Sequence, residues 1–144
     1  MKPEYDLAGR VIGLAMKVHS TLGSGFLESV YHAALAHELR KANIAFESKK
    51  PICVYYDGIV VGEFVADFLV ENELIAELKA ILTLTAANEV QTVNYLTATR
   101  KDIGLLLNFG AERLQFKKKF RESLPKRTEG MQALTMQERS ENSF

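Results

Sequence analysis

The sequence predicts an α/β domain in which helices flank a mixed β-sheet, in the order α-α-β-β-β-α-β-β. Three observations carry that reading. Helical periodicity marks two segments near the N-terminus and one after residue 85. Extended patterning broken by two turn signals fills residues 45–80. A short apolar run, Ile103–Phe109, then has the length of a buried strand.

From Leu7 to Leu22, one stripe holds Leu7, Val11, Ile12, Ala15, Val18 and Leu22, as an amphipathic helix requires. Gly23-Ser24-Gly25 ends it. A second helix is expected from about Leu27 to Ala42, with Leu27, Val30, Tyr31, Leu35 and Leu39 inward and Asn43 as its end signal. Asp57-Gly58 is a hairpin signal between strands at Ala45–Tyr56 and Ile59–Val70. Glu71-Asn72-Glu73 suits a tight turn into a third strand, Leu74–Ala80. Thr83 or Thr85 can cap a helix running to about Thr99. After Ile103–Phe109, Gly110-Ala111 turns the chain, and Leu114–Phe120 alternates apolar with basic residues like a half-exposed edge strand. Residues 1–124 are expected to form one domain, and 125–144 a polar tail.

Composition bounds the function classes. The 144 residues are 47% hydrophobic and 25% charged, ordinary for a globular domain. No apolar run reaches the roughly 20 residues of a membrane helix, and the first six residues lack the apolar stretch of a signal peptide. A cytoplasmic location without membrane contact is therefore expected. Cys53 is the single cysteine, which excludes an internal disulfide and a thiolate-rich zinc site. Formal net charge is zero, so nucleic-acid binding would rest on local charge. The basic stretch is Phe116–Arg121, where Lys117, Lys118, Lys119 and Arg121 can contact phosphates. The competing reading is an edge strand defended by lysines.

The chemistry concentrates in V-A-D-F, with Asp67, and A-E-L-K, with Glu77 and Lys79. Period-2 alternation points Glu77 and Lys79 to one face. If residues 71–73 form the loop, Val70 pairs with Leu74 and Asp67 falls opposite Glu77. Opposed side chains lie about 5 Å apart at Cβ, a gap that a divalent cation fills. Mg2+ needs one or two carboxylates plus water and substrate phosphate, so Asp67 and Glu77 suffice as ligands. Lys79 can then orient an attacking water and balance developing charge. Gln91 and Tyr95, four apart, share a helix face and can hold a nucleic-acid backbone against the metal. Glu28, near a helix start, can add a third acid to the metal site. His19, His32 and His37 show no i, i+4 pairing and read as structural.

The D-x9-E-x-K pattern of Asp67, Glu77 and Lys79, with an acid on a preceding helix, resembles the PD-(D/E)XK nuclease superfamily. Gln91 and Tyr95 resemble the Q-x-x-x-Y motif of its exonuclease-like branch. The heptad Gly25-x-x-Glu28-x-x-Tyr31, preceded by V-H-S-T-L-G-S-G and followed by N-Y-L and G-L-L-L-N-F-G, is similar to the bacterial family named GxxExxY. The resemblance covers about residues 7–120. It implies a restriction-endonuclease-like α-β-β-β-α-β core and Asp67, Glu77 and Lys79 as the catalytic set. Glu28 and Gln91 would be accessory, with Tyr95 in support. It also implies Mg2+, with Mn2+ as a substitute, and nucleic acid as substrate, DNA before RNA. The superfamily's proline before the first aspartate is Ala66 here. The rival reading is a non-catalytic nucleic-acid or protein binding module on the same fold. A homodimer formed through a sheet edge or the N-terminal helices is a further expectation.

Overall fold

A computed structural model describes residues 6–121; the tail expected at 125–144 lies outside the described residues. The elements are α1 (Leu7–Leu22), α2 (Glu28–Lys41), β1 (Phe46–Tyr56), β2 (Ile59–Val70), β3 (Leu74–Lys79), α3 (Ala86–Thr99), β4 (Ile103–Asn108) and β5 (Gln115–Phe120). The order is the expected one. Asp6 caps α1 by accepting the Gly9 N–H at 2.9 Å. Thr85 caps α3 in a reciprocal box with Asn88.

The five strands lie in the order β1-β2-β3-β4-β5. Neighbours are antiparallel except β3 and β4, which are parallel. Parallel neighbours need a crossover, and α3 supplies it. Helices α1 and α2 cover one sheet face, packing Val11, Ala15, Tyr31, Leu35 and Leu39 with Phe68, Val70, Ala76, Leu105, Leu107 and Phe109. On the opposite face Leu96 of α3 packs with Ile52, Ala66, Leu69 and Ile75. Each fully buried side chain of this size contributes about 1.5–3 kcal/mol. Covered on both faces, β4 is buried from Gly104 to Asn108, which is why its sequence runs apolar without alternation.

Leu27 and Val30 do not face inward as expected: Leu27 is 76% exposed and Val30 is also exposed. The helix begins at Glu28, leaving Leu27 in extended backbone before the first turn. The buried stripe is Tyr31, Leu35 and Leu39, spaced by four, and Val30 lies off it.

The β1–β2 hairpin is longer than the sheet that carries it. β3 pairs with β2 only at Phe68–Val70, so the outer part of the hairpin is two-stranded. The hairpin also changes face at one step. Ser48 pairs with Phe68 and Lys50 with Ala66, but Lys49 and Asp67 between them are not paired. Lys49 has φ +53, a left-handed conformation that costs about 1–2 kcal/mol outside glycine. Across this step Ala66 packs toward α3 and Phe68 toward α1 and α2, although they are two residues apart.

Candidate functional site

The acidic pair is built where the β2–β3 ladder ends. Val70 pairs with Leu74, Leu69 with Ile75 and Phe68 with Ala76, as the register argument requires. At the next step the side chains replace the ladder. Glu77 Oε2 accepts the Asp67 N–H at 2.9 Å. Asp67 Oδ2 accepts the Leu78 N–H at 2.8 Å. Each carboxylate thus spends one oxygen on the opposite strand, and their positions are fixed by backbone rather than by flexible side chains.

Glu77 is 7% exposed. Burial first, and the Asp67 charge second, push its carboxyl up to about 8, against the Asp67 hydrogen bond and the nearby Lys79. Lys79 is half-buried and takes part in none of the ion pairs among the described residues. Its charge bears on both Glu77 and Glu28.

Helix α2 brings Glu28 to the same place. Partial desolvation, then the Asp67 charge, raises the Glu28 carboxyl above the usual range, while Lys79 and His32 pull it down. Gly25, at φ +112, lets the chain turn into this helix. Tyr31 is fully buried and donates to the Gly23 carbonyl, which anchors the same turn. Gly25 and Tyr31 thus fix the turn from which α2 starts at Glu28.

Sequence reasoning passed over His32. It is half-buried, stacks on Phe68 with ring centroids 4.2 Å apart, and its Nε2 donates to the Asp67 carbonyl at 3.2 Å. Its spacing of four from Glu28 was the available signal.

Helix α3 contributes Gln91 and Tyr95. Tyr95 stacks on Phe64 with centroids 3.7 Å apart and an interplanar angle of 10°. Burial first, and then the Glu77 and Asp67 charges, raise the Tyr95 hydroxyl, while the adjacent Gln91 pulls it the other way. Asp67, Glu77, Lys79, Glu28, Gln91 and Tyr95 are thus one electrostatic neighbourhood.

The basic strand is not part of that neighbourhood as a single patch. Alternation divides its cations between two faces. Lys119 pairs with Glu89 of α3 at 2.9 Å and Lys118 with Asp6 of α1 at 3.8 Å. Arg121 pairs with Asp102 at 2.7 Å. Lys117 is exposed, and among the described residues it forms no ion pair.

Asn108 was also missed. It lies beside Lys79 in the β3–β4 register and is fully buried. Its Oδ1 accepts from the Ile81 and Gly110 N–H groups at 3.0 and 3.1 Å. Its Nδ2 donates to the Ile81 carbonyl and to Gln115 Oε1, both at 2.9 Å. A Cβ on Gly110 would come within 2.4 Å of the Ile81 backbone, so only glycine fits. The chain leaving Lys79 is held by this network.

The donors at the acidic pair are hard oxygens, with no thiolate or imidazole in the set, which suits Mg2+-type cations. Among the described residues no three His, Cys, Asp or Glu side chains gather as a complete ligand set. A cation here would therefore complete its shell with water and substrate oxygen.

The family model for the PD-(D/E)XK nuclease superfamily matches residues 5–121. The chain belongs to the PD-(D/E)XK nuclease superfamily. Nucleases of this superfamily generally use divalent metals. The fold agrees: the crystal structure of SSO0001 superposes with a TM-score of 0.53 at 15% identity, over 78% of this chain. The chain spans 56% of the length of that structure. The mixed five-stranded sheet flanked by helices is the superfamily's restriction-endonuclease-like core. Comparison with curated protein sequences finds no match. No described helix is long and apolar enough to cross a membrane.

Proposed function

We propose that this protein is a divalent-metal-dependent nuclease that hydrolyses phosphodiester bonds, with Mg2+ as the ion, Mn2+ as its substitute, and DNA preferred over RNA. The observation that supports this most is the reciprocal clamp of Asp67 and Glu77, which fixes two carboxylates side by side and leaves Glu77 with a carboxyl pushed up to about 8. Ionising a buried carboxyl beside a second, half-buried acid is costly unless a cation relieves it. In this reading Asp67 and Glu77 hold the ion and Glu28 assists from α2. When bound, the ion lowers the pKa of a water and neutralises charge on the phosphoryl group. Lys79, outside the described ion pairs, orients the nucleophile and balances charge on the phosphoryl oxygens. Gln91 and Tyr95 hold the strand from α3. The heptad Gly25-x-x-Glu28-x-x-Tyr31 further supports membership of the GxxExxY family, since Gly25 and Tyr31 fix the turn from which Glu28 starts α2.

A binding module would neutralise the acids internally, for instance by an Asp67–Lys79 or Glu77–Lys79 ion pair. Neither is among the described ion pairs, which favours the catalytic reading. The test is cleavage of labelled DNA and RNA by purified protein with Mg2+ or Mn2+, comparing the wild type with Asp67→Ala and Lys79→Ala. Loss of metal-dependent cutting in both variants supports the assignment. Cutting unchanged in either removes that residue from the mechanism.

A further inference from the structure

A groove of about 490 Å³ opens between α3 and the β1–β2 hairpin. Val54 and Phe64 form one wall; Val90, Gln91, Asn94 and Tyr95 form the other, with two alanines of α3 between and beside them. Tyr95, which lines the groove, also feels the charges of Glu77 and Asp67, so the groove lies on the α3 side of the acidic pair. No lysine, arginine, aspartate or glutamate lines it. A phosphate would call for cations there. What this surface offers is apolar area, a stacked aromatic pair and two amides. A nucleobase presents the complement: flat apolar faces and an edge of donors and acceptors that side-chain amides match.

Resting on the nuclease reading, we infer that the groove takes an unpaired nucleobase next to the phosphate at Asp67 and Glu77. In a duplex, base faces are buried in the stack and only edges reach a protein. A base lies flat between these walls only when it has left the helix. The substrate class is therefore single-stranded nucleic acid, or a strand with an unstacked nucleotide at the cut. The base extends the Phe64–Tyr95 stack, and Gln91 and Asn94 meet its edge.

The experiment measures fluorescence anisotropy of a short labelled single-stranded DNA and of the same strand built from abasic sugar–phosphate units. The proteins are wild type, Val90→Gln and Asn94→Ala. Val90 is 59% exposed and Asn94 is exposed, so both variants are expected to fold. The wild type should bind the intact strand about tenfold more tightly than the abasic one, and both variants should bring that ratio toward one. Equal binding of the two strands by the wild type overturns the inference, as does a ratio preserved in both variants. A fully paired duplex that competes as well as the single strand also overturns it. In those cases metal-dependent cutting persists and the nuclease reading stands. If neither strand is bound or cut in Mg2+, the nuclease reading fails and the groove inference fails with it.

Discussion

Asp67 and Glu77 each occupy a hydrogen-bonding place on the other's strand: Glu77 Oε2 takes the Asp67 N–H at 2.9 Å, and Asp67 Oδ2 takes the Leu78 N–H at 2.8 Å. Ladder bonds between β2 and β3 give way to carboxylate bonds at this step. The strands separate there without leaving either N–H unsatisfied. The same exchange sets two acids side by side where the ladder ends.

Glu77→Gln should stabilise the metal-free protein at alkaline pH and abolish cutting. Glutamine keeps an oxygen for the Asp67 N–H and carries no charge. In the wild type the native carboxyl titrates at about 8 against 4.5 for an unperturbed glutamate, so the native state holds its proton more tightly. The stability from this group is complete below pH 4.5 and is lost as pH rises through 8. Thermal melts should show the Tm of the variant exceeding that of the wild type above pH 8, with the gap closing on acidification.

Metal binding should release a proton below pH 8. A cation between the acids requires ionised Glu77, so affinity should rise by about tenfold per pH unit up to that point and then level. Titration calorimetry of Mn2+ in buffers of different ionisation enthalpy reads the proton directly. An affinity flat with pH would place the ion elsewhere.

Lys79→Ala should lower the cutting rate by about a hundredfold or more while Mn2+ affinity changes by only a few-fold. Calorimetry and single-turnover cleavage separate the two. Loss of metal binding in this variant would make Lys79 a structural partner of the acids instead.

Asn108→Ala should cost about 2 kcal/mol, because it leaves the Ile81 N–H, Ile81 carbonyl and Gly110 N–H without their partner in a partly buried place. Equilibrium denaturation measures it. Gln115 would lose its Asn108 contact but keep those to Leu84 and Thr83.

Much of this arrangement was legible in the residues. Asp57-Gly58 and Glu71-Asn72-Glu73 set both hairpin turns, and counting back from the second aligns Asp67 with Glu77. What counting could not show was the end of the ladder at Phe68, because alternation assumes a regular strand. Lys49 at φ +53 breaks that regularity, and lysine is not a residue that announces a left-handed turn. His32 was passed over for a different reason. A histidine on a helix declares itself only through its neighbours, and Phe68 and the Asp67 carbonyl come from a strand 36 and 35 residues away. Asn108 sat inside the apolar run Ile103–Phe109 and drew no role of its own there, yet it is the polar centre that holds two loops together. The basic strand showed its cations but not their partners, since Glu89, Asp6 and Asp102 come from three other parts of the chain.

The two-stranded outer part of the β1–β2 hairpin has a consequence for how the molecule breathes. Beyond Ala66 the hairpin lacks a third strand, carries exposed Tyr55, Tyr56, Ile59, Val60 and Val61, and leans on α3 through Phe64 and Ile52. A lone strand pair is marginal in water. This finger therefore opens at lower free energy than the doubly covered centre. Amide hydrogens near its tip should exchange with deuterium well before those of β3 and β4. One wall of the groove beside α3 is thus a spring, its other wall a helix packed on the centre of the sheet.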